Sequence, residues 1–214
     1  MQADCNLRSA LAHVLWIGGA TDAGKSTVAK LLAKRHGLQL YHYDQHDLPQ
    51  TQKLAQTMPH YQAALTRSAE ERWMRFTPHE LMQRSLLHMA DRFPLVIEEL
   101  CSLPREPMIL AEGFGLTPNL VFPLLASRKQ AVWLVPTREF QWASMQRRNK
   151  PSWRNQVSDP ELATHISFER GVLLAAHFRQ EASSYGLMVY EVDGTQPSEE
   201  IASLVEQHLK PLLA

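Results

Sequence analysis

The chain has 214 residues, 44% of them hydrophobic, with 22 Lys and Arg set against 22 Asp and Glu. That length suits one sizeable α/β core, and no Pro/Gly/Ser-rich linker divides it, so a single domain over residues 1–214 is expected. The even charge provides no basic field for holding nucleic acid through its phosphates. With no apolar run near the length of a membrane span and no secretory-type leader, the expected place is the cytoplasm.

An apolar run at residues 13–17 reads as a buried strand, and Val28, Leu31 and Leu32 then recur at helical spacing. Between them stands Gly19-Ala20-Thr21-Asp22-Ala23-Gly24-Lys25-Ser26, followed by Thr27, a match to G-x-x-x-x-G-K-[ST] in its required strand–loop–helix setting. A glycine-rich turn can point several backbone N–H groups at one phosphate chain because no Cβ blocks the approach. Lys25 would add a point charge at the β/γ-phosphates and Ser26 a hydroxyl for Mg²⁺, with the positive end of the following helix aimed at the same anion. A nucleoside triphosphate is therefore the expected ligand. The helix should stop at Gly37, after Lys34-Arg35-His36.

Further apolar runs at 38–43, 108–111, 131–135 and 187–192 give four more buried strands, separated by helical patterns. That alternation predicts a five-stranded parallel sheet with helices on both faces, whose ligands gather at the carboxyl ends of the strands. Between the second and third strands lies a surplus of helical sequence, at about 51–65, 78–91 and 94–103. A helical insertion over 45–106, beside the cleft, is expected. It carries Arg67, Arg72, Arg75, Arg84 and Arg92, each as compatible with a solvated face as with substrate binding.

After the fourth strand, 137–148 is helical in pattern and includes Arg138, Arg147 and Arg148. The irregular polar stretch 149–160 follows, with Lys150, Trp153 and Arg154; of the five tryptophans, Trp153 is the one suited to touching a ligand. Asp159-Pro160-Glu161 reads as an N-cap, a first-turn proline and an early acid, opening a long helix that Gly186 ends. A last helix over 197–213 begins with Glu199 and Glu200. Trp16 and Trp133 fall within strands and should fill the core.

Cys5 and Cys101 lack metal or redox spacing and read as reduced thiols, and His79-Glu80 lacks the second histidine of a zinc motif. A guanine-reading N/T-K-x-D is absent, since Asn149-Lys150-Pro151-Ser152 lacks the acid; L-S-G-G-Q is absent too. His42, Asp44, His46 and Asp47 crowd imidazole and carboxylate donors and leave a metal reading open.

These residues together resemble the small P-loop kinases of the nucleoside and nucleotide kinase group, including the shikimate, gluconate and adenylate kinase branches. The resemblance implies a three-layer P-loop kinase-like fold and ATP-dependent transfer of a γ-phosphoryl group, with Mg²⁺, to a hydroxyl or phosphate of a small-molecule acceptor. Tyr41-His42-Tyr43-Asp44 looks like the strand end where such kinases keep an acid for the acceptor hydroxyl, so Asp44 is the expected base. Met108-Ile109-Leu110-Ala111-Glu112-Gly113 looks like their third strand, which places Glu112 in the metal shell beside Ser26. Arg147, Arg148 and Arg154 resemble lid and adenine-stacking arginines in a lid segment at 147–160, with Arg170 a further lid contact. Val192-Asp193-Gly194-Thr195 resembles the loop near the adenine, giving Gly194 a nucleotide contact.

Asp47, Arg72 and Arg75 are expected on the acceptor, Asp47 being equally suited to capping a helix. The sequence departs from the pattern in carrying glutamate where many P-loop proteins keep aspartate, and in the long segment after Asp47. It leaves open the acceptor and the oligomeric state. A nucleotide-gated regulatory protein and a nucleic-acid 5′-end kinase stand as the alternatives.

Overall fold

A computed structural model describes residues 7–147 and 153–213 of the chain. Five strands, β1 Val14–Gly19, β2 Gln39–His42, β3 Ile109–Glu112, β4 Ala131–Pro136 and β5 Met188–Val192, form one sheet in the order β2-β3-β1-β4-β5. Every pairing is parallel. The helices are α1 Lys25–His36, α2 Asp47–Ala55, α3 Pro59–Thr66, α4 Pro78–Ser102, α5 Pro118–Val121, α6 Arg138–Arg147, α7 Pro160–Ser184 and α8 Ser198–Leu209.

The central strands are apolar at successive positions because both sheet faces are covered, and alternate side chains go to opposite sides. Leu15, Ile17, Leu110, Val132 and Leu134 meet Val28 and Leu32 of α1 and Val205 and Leu209 of α8. On the other face Trp16, Ala111 and Trp133 meet Met89, Phe93 and Val96 of α4 and Leu174 and Phe178 of α7. Trp16 and Trp133 are wholly buried, the indole N–H of Trp133 donating to the Leu116 carbonyl at 3.0 Å.

The ends of α1 and α7 follow local sequence. Gly37 caps α1 at a φ of 65°, and the Asp159 side chain accepts the Leu162 amide at the start of α7. Two proline effects depart from the sequence pattern. The helix expected over 51–65 is two helices, because Pro59 holds Met58 extended (φ −121°, ψ 100°) and then opens α3 as its first residue. Conversely, the helices expected at 78–91 and 94–103 are one, α4, which runs through Pro94. The lost hydrogen bond there is outweighed by an apolar stripe, Met89, Phe93, Val96 and Leu100, that only a continuous helix can lay on the sheet.

The sheet and α1 thus make a rigid floor, and the segment from Tyr43 to Pro107 rises beside it from the carboxyl end of β2. No helix of the described residues is long and apolar enough to cross a membrane.

Candidate functional site

β1 ends on Gly19, and the chain turns over the carboxyl edge of the sheet before α1 begins. Asp22 (φ 66°) and Gly24 (φ 77°) are both left-handed, the backbone habit from which anion-binding nests are built. Aspartate tolerates that region better than most residues, and at Gly24 the backbone demands glycine. A Cβ placed on Gly24 would meet no atom within 4 Å, so glycine is called for there by the backbone conformation and not by crowding. Ala20 and Ala23 are buried beneath the turn, and the Lys25 ammonium bends across it to the Ala20 carbonyl at 2.7 Å. The first amides of α1, at Lys25 and Ser26, have no carbonyl a turn earlier within the helix. Thr27 closes that turn with its amide on the Gly24 carbonyl at 3.0 Å.

Sheet register builds the acidic side of the site. Glu112 lies opposite Ile17 on β1 and His42 on β2, so its side chain emerges on the α1 face, level with the loop. Glu112 is only 3% exposed, and both its carboxylate oxygens lie 3.0 Å from the Ser26 hydroxyl. His42 Nδ1 lies 2.7 Å from Oε1 of the same carboxylate. One methylene longer than aspartate, Glu112 can reach Ser26 from the strand end. A hydroxyl and a carboxylate side by side at the glycine loop are hard oxygen donors of the kind Mg²⁺ takes, with phosphate and water to complete its shell.

The residues that crowd the end of β2 diverge in space. His42 goes to Glu112, His46 Nδ1 to Glu99 at 3.0 Å, and Asp47 to Arg92 at 2.6 Å. Among the described residues no group of three or more His, Cys, Asp and Glu could hold a metal ion.

Asp44 lies in the 3₁₀ turn Tyr43–His46, just past the end of β2. It is exposed to solvent, with the Phe114 backbone N–H close enough to favour its charged form. Burial raises its pKa above the usual aspartate range; Lys25 and Arg92 pull it down, and Glu112 pushes it up. Asp44 thus shares one electrostatic neighbourhood with Lys25 and Glu112.

That turn is held from below by Arg92, which is wholly buried. Its guanidinium donates to the Gln50 amide oxygen (2.9 Å), Asp47 Oδ1 (2.6 Å) and the Tyr43 carbonyl (3.0 Å), and lies 4.1 Å from the centre of the Tyr43 ring. Asp47 is therefore the first residue of α2 and an ion-pair partner, not a helix cap. The Tyr43 ring in turn shapes the loop after β3, since a Cβ on Gly115 would lie 2.0 Å from Tyr43 Cζ.

Within the insertion opens a cavity of about 510 Å³, lined by Asp47, His88, Phe114, Arg72, Arg84 and Arg170 among others. Arg72 is on its wall; Arg75 is exposed and is not among the lining residues. Trp153, on the far side of the cleft, stacks on Trp73 with centroids 4.6 Å apart. The Arg170 guanidinium lies 4.9 Å from the centre of the Trp73 ring. The Ser158 amide and hydroxyl both donate to Glu70 at 2.9 Å, so the stretch after residue 152 is tied to the insertion. Arg154 sits in the 3₁₀ turn Trp153–Gln156. Arg147, exposed at the end of α6, has its guanidinium 5.7 Å from the centre of the Phe140 ring, the ring against which Gly194 packs. Arg148 and Lys150 lie outside the described residues.

Sequence reasoning missed Gln141, Gln50 and the inward course of Arg92. Gln141 is 2% exposed, and its amide nitrogen lies 3.4 Å from both the carbonyl and hydroxyl oxygens of Thr21, binding α6 to the phosphate-type loop. A polar residue on the buried side of α6 was the available signal, which single-helix periodicity does not resolve.

The parallel sheet, its strand order and the glycine loop at the edge define the fold of the P-loop small-molecule kinases. Among solved structures, the chain is similar to shikimate kinase from Acinetobacter baumannii in complex with shikimate, at 18% identity over 92% of this chain and 93% of that one, with a TM-score of 0.50. A fainter likeness, TM-score 0.46 at 11% identity, links 92% of the chain to 99% of deoxyadenosine kinase from M. mycoides with bound dATP. No protein-family profile matches the sequence, and no curated protein sequence does.

Proposed function

We propose that the protein is an ATP-dependent phosphotransferase that moves the γ-phosphoryl group to a hydroxyl of a small acceptor held in the cavity within the insertion. The observation that supports it best is the position of Asp44, in the electrostatic field of Lys25 and Glu112 and close to Phe114, one of the residues that line a cavity large enough for a metabolite.

In this reading the loop from Gly19 to Thr27 binds the phosphate chain, and the Lys25 ammonium swings from the Ala20 carbonyl to the β/γ-phosphates. Ser26 and Glu112 would hold Mg²⁺, which supplies positive charge against the phosphate oxygens. The His42 ring on Glu112 fixes the direction of that carboxylate. Asp44 accepts the acceptor's hydroxyl proton as the oxygen bonds to the γ-phosphorus and ADP leaves; burial makes it a stronger base than an exposed aspartate. Transfer of this kind depends on alignment and positive charge, which Arg147, Arg148 and Arg154 would bring from the lid side, with Gly194 near the base.

The test is Asp44→Asn, assayed for transfer of label from [γ-³²P]ATP into a metabolite pool and for ATP binding by calorimetry. Nucleotide affinity should hold while transfer falls on the order of 10²- to 10⁴-fold. Unchanged turnover in the variant removes Asp44 from the mechanism. A wild type that binds ATP and labels nothing removes the phosphotransferase reading.

A further inference from the structure

Gln141 stands where packing alone would call for an apolar residue. It is 2% exposed, on the inner side of α6, and its Oε1 is buried without a hydrogen-bond partner. A buried acceptor left in that state is destabilising, and methionine or leucine would fill the same space without the penalty. The amide nitrogen lies 3.4 Å from both the carbonyl and the hydroxyl oxygen of Thr21. A carbonyl only accepts, so the NH₂ group must face the glycine loop, and the oxygen is turned away from it in consequence.

Room for this side chain is made by Gly171, in the interior of α7. A Cβ there would lie 2.7 Å from Gln141 Nε2 and 3.4 Å from its Cδ, so any larger residue would push the amide aside. Glycine weakens a helix interior relative to alanine, and what it gives here is passage for the Gln141 amide. Two unfavourable choices, an unpaired oxygen on α6 and a glycine inside α7, thus converge on one contact with Thr21.

Thr21 immediately precedes Asp22, whose φ of 66° is the first left-handed step of the loop. The peptide between them is trans and planar, so with the Thr21 carbonyl drawn towards α6 the Asp22 N–H must point the opposite way, away from α6. Resting on the reading of this loop as the triphosphate site, we infer that Gln141 is a positioning residue. It fixes the Thr21–Asp22 peptide so that the Asp22 amide is presented to the phosphate chain before nucleotide arrives, and Gly171 is the notch in α7 through which it does so. Gln141 touches no substrate in this role; it removes an ordering entropy that nucleotide binding would otherwise have to overcome.

The experiment measures binding of a non-hydrolysable ATP analogue with saturating Mg²⁺ by calorimetry, and Tm by circular dichroism. It compares the wild type with Gln141→Met, Gly171→Ala, Gln141→Ala and the double variant Gln141→Ala with Gly171→Ala. A wild type that does not bind the analogue ends the nucleotide reading, and this inference falls with it. If it binds, Gln141→Met, which keeps the length of the side chain and removes both the N–H donor and the unpaired oxygen, should weaken the analogue roughly three- to tenfold while Tm holds or rises. A residue that only packs would not separate the two readouts in that way. Gly171→Ala should weaken binding by a similar factor, by driving the amide off Thr21. In the Gln141→Ala background the same change should leave affinity as it is and raise Tm, since alanine then favours the helix with nothing to displace. Should Gln141→Ala not fold, Gln141→Met and Gly171→Ala decide the matter. Unchanged affinity in either of those two variants overturns the inference. So does a Tm that falls together with affinity in Gln141→Met, or a loss on Gly171→Ala of the same size with and without the Gln141 amide.

Discussion

Replacing Arg92 by methionine would remove a wholly buried cation beside the site. The fully buried Gln50 amide oxygen loses its donor, at about 1–3 kcal/mol, and the Tyr43 carbonyl loses one of its partners, at about 1 kcal/mol. The attraction between the guanidinium and the Tyr43 ring adds about 2 kcal/mol in so dry a place. The Asp47 pair contributes less than a buried pair would, about 1 kcal/mol at most, since the Asp47 side chain is 52% exposed and water takes over when Arg92 goes. Methionine recovers part of the packing, which leaves a net loss of about 3–5 kcal/mol and, for a chain of this size, a fall in Tm of about 10 °C. Urea and thermal unfolding followed by circular dichroism at pH 7.5 would measure it, with Asp47→Asn as the comparison. If Arg92→Met shifts Tm by less than about 2 °C, or if Asp47→Asn costs as much, the account of Arg92 as an internal tie is wrong.

Two further outcomes follow from the acidic groups. Glu112→Gln keeps the size of the side chain and removes its charge, so the Mg²⁺ concentration for half-maximal ATP turnover should rise roughly 10- to 100-fold; an unchanged Mg²⁺ titration would take Glu112 out of the metal shell. Asp44 has a raised pKa in the fold, so the folded state holds its proton more tightly than the unfolded chain. Its favourable contribution is complete below the unfolded aspartate pKa and is lost as pH rises through the folded value. Asp44→Asn should therefore raise Tm at pH 7.5, with the gain shrinking towards pH 4, and a variant less stable than the parent at neutral pH would contradict the assigned direction.

What could be read from the chain was local and periodic. The glycine loop, the strands, the cap at Gly37 and the Asp159 N-cap each depend on a few consecutive residues, and the acid at the end of β3 follows from strand length alone. What could not be read depends on distant partners. In sequence Arg92 is one arginine among many in the insertion, and only the fold of α2 and α4 together turns it inward while Arg75 stays in water. Pro94 signals a break that burial overrides. The bond from Gln141 to Thr21 spans 120 positions, and neither residue carries a pattern that announces it.

The contact between Trp73 and Trp153, with ring planes 13° apart, joins two chromophores from opposite sides of the cleft. Indoles this close couple their electronic transitions, so the pair should give an exciton signature in circular dichroism and a fluorescence yield that change whenever the rings part. Any separation of the two segments would thereby be legible in stopped flow without an attached dye.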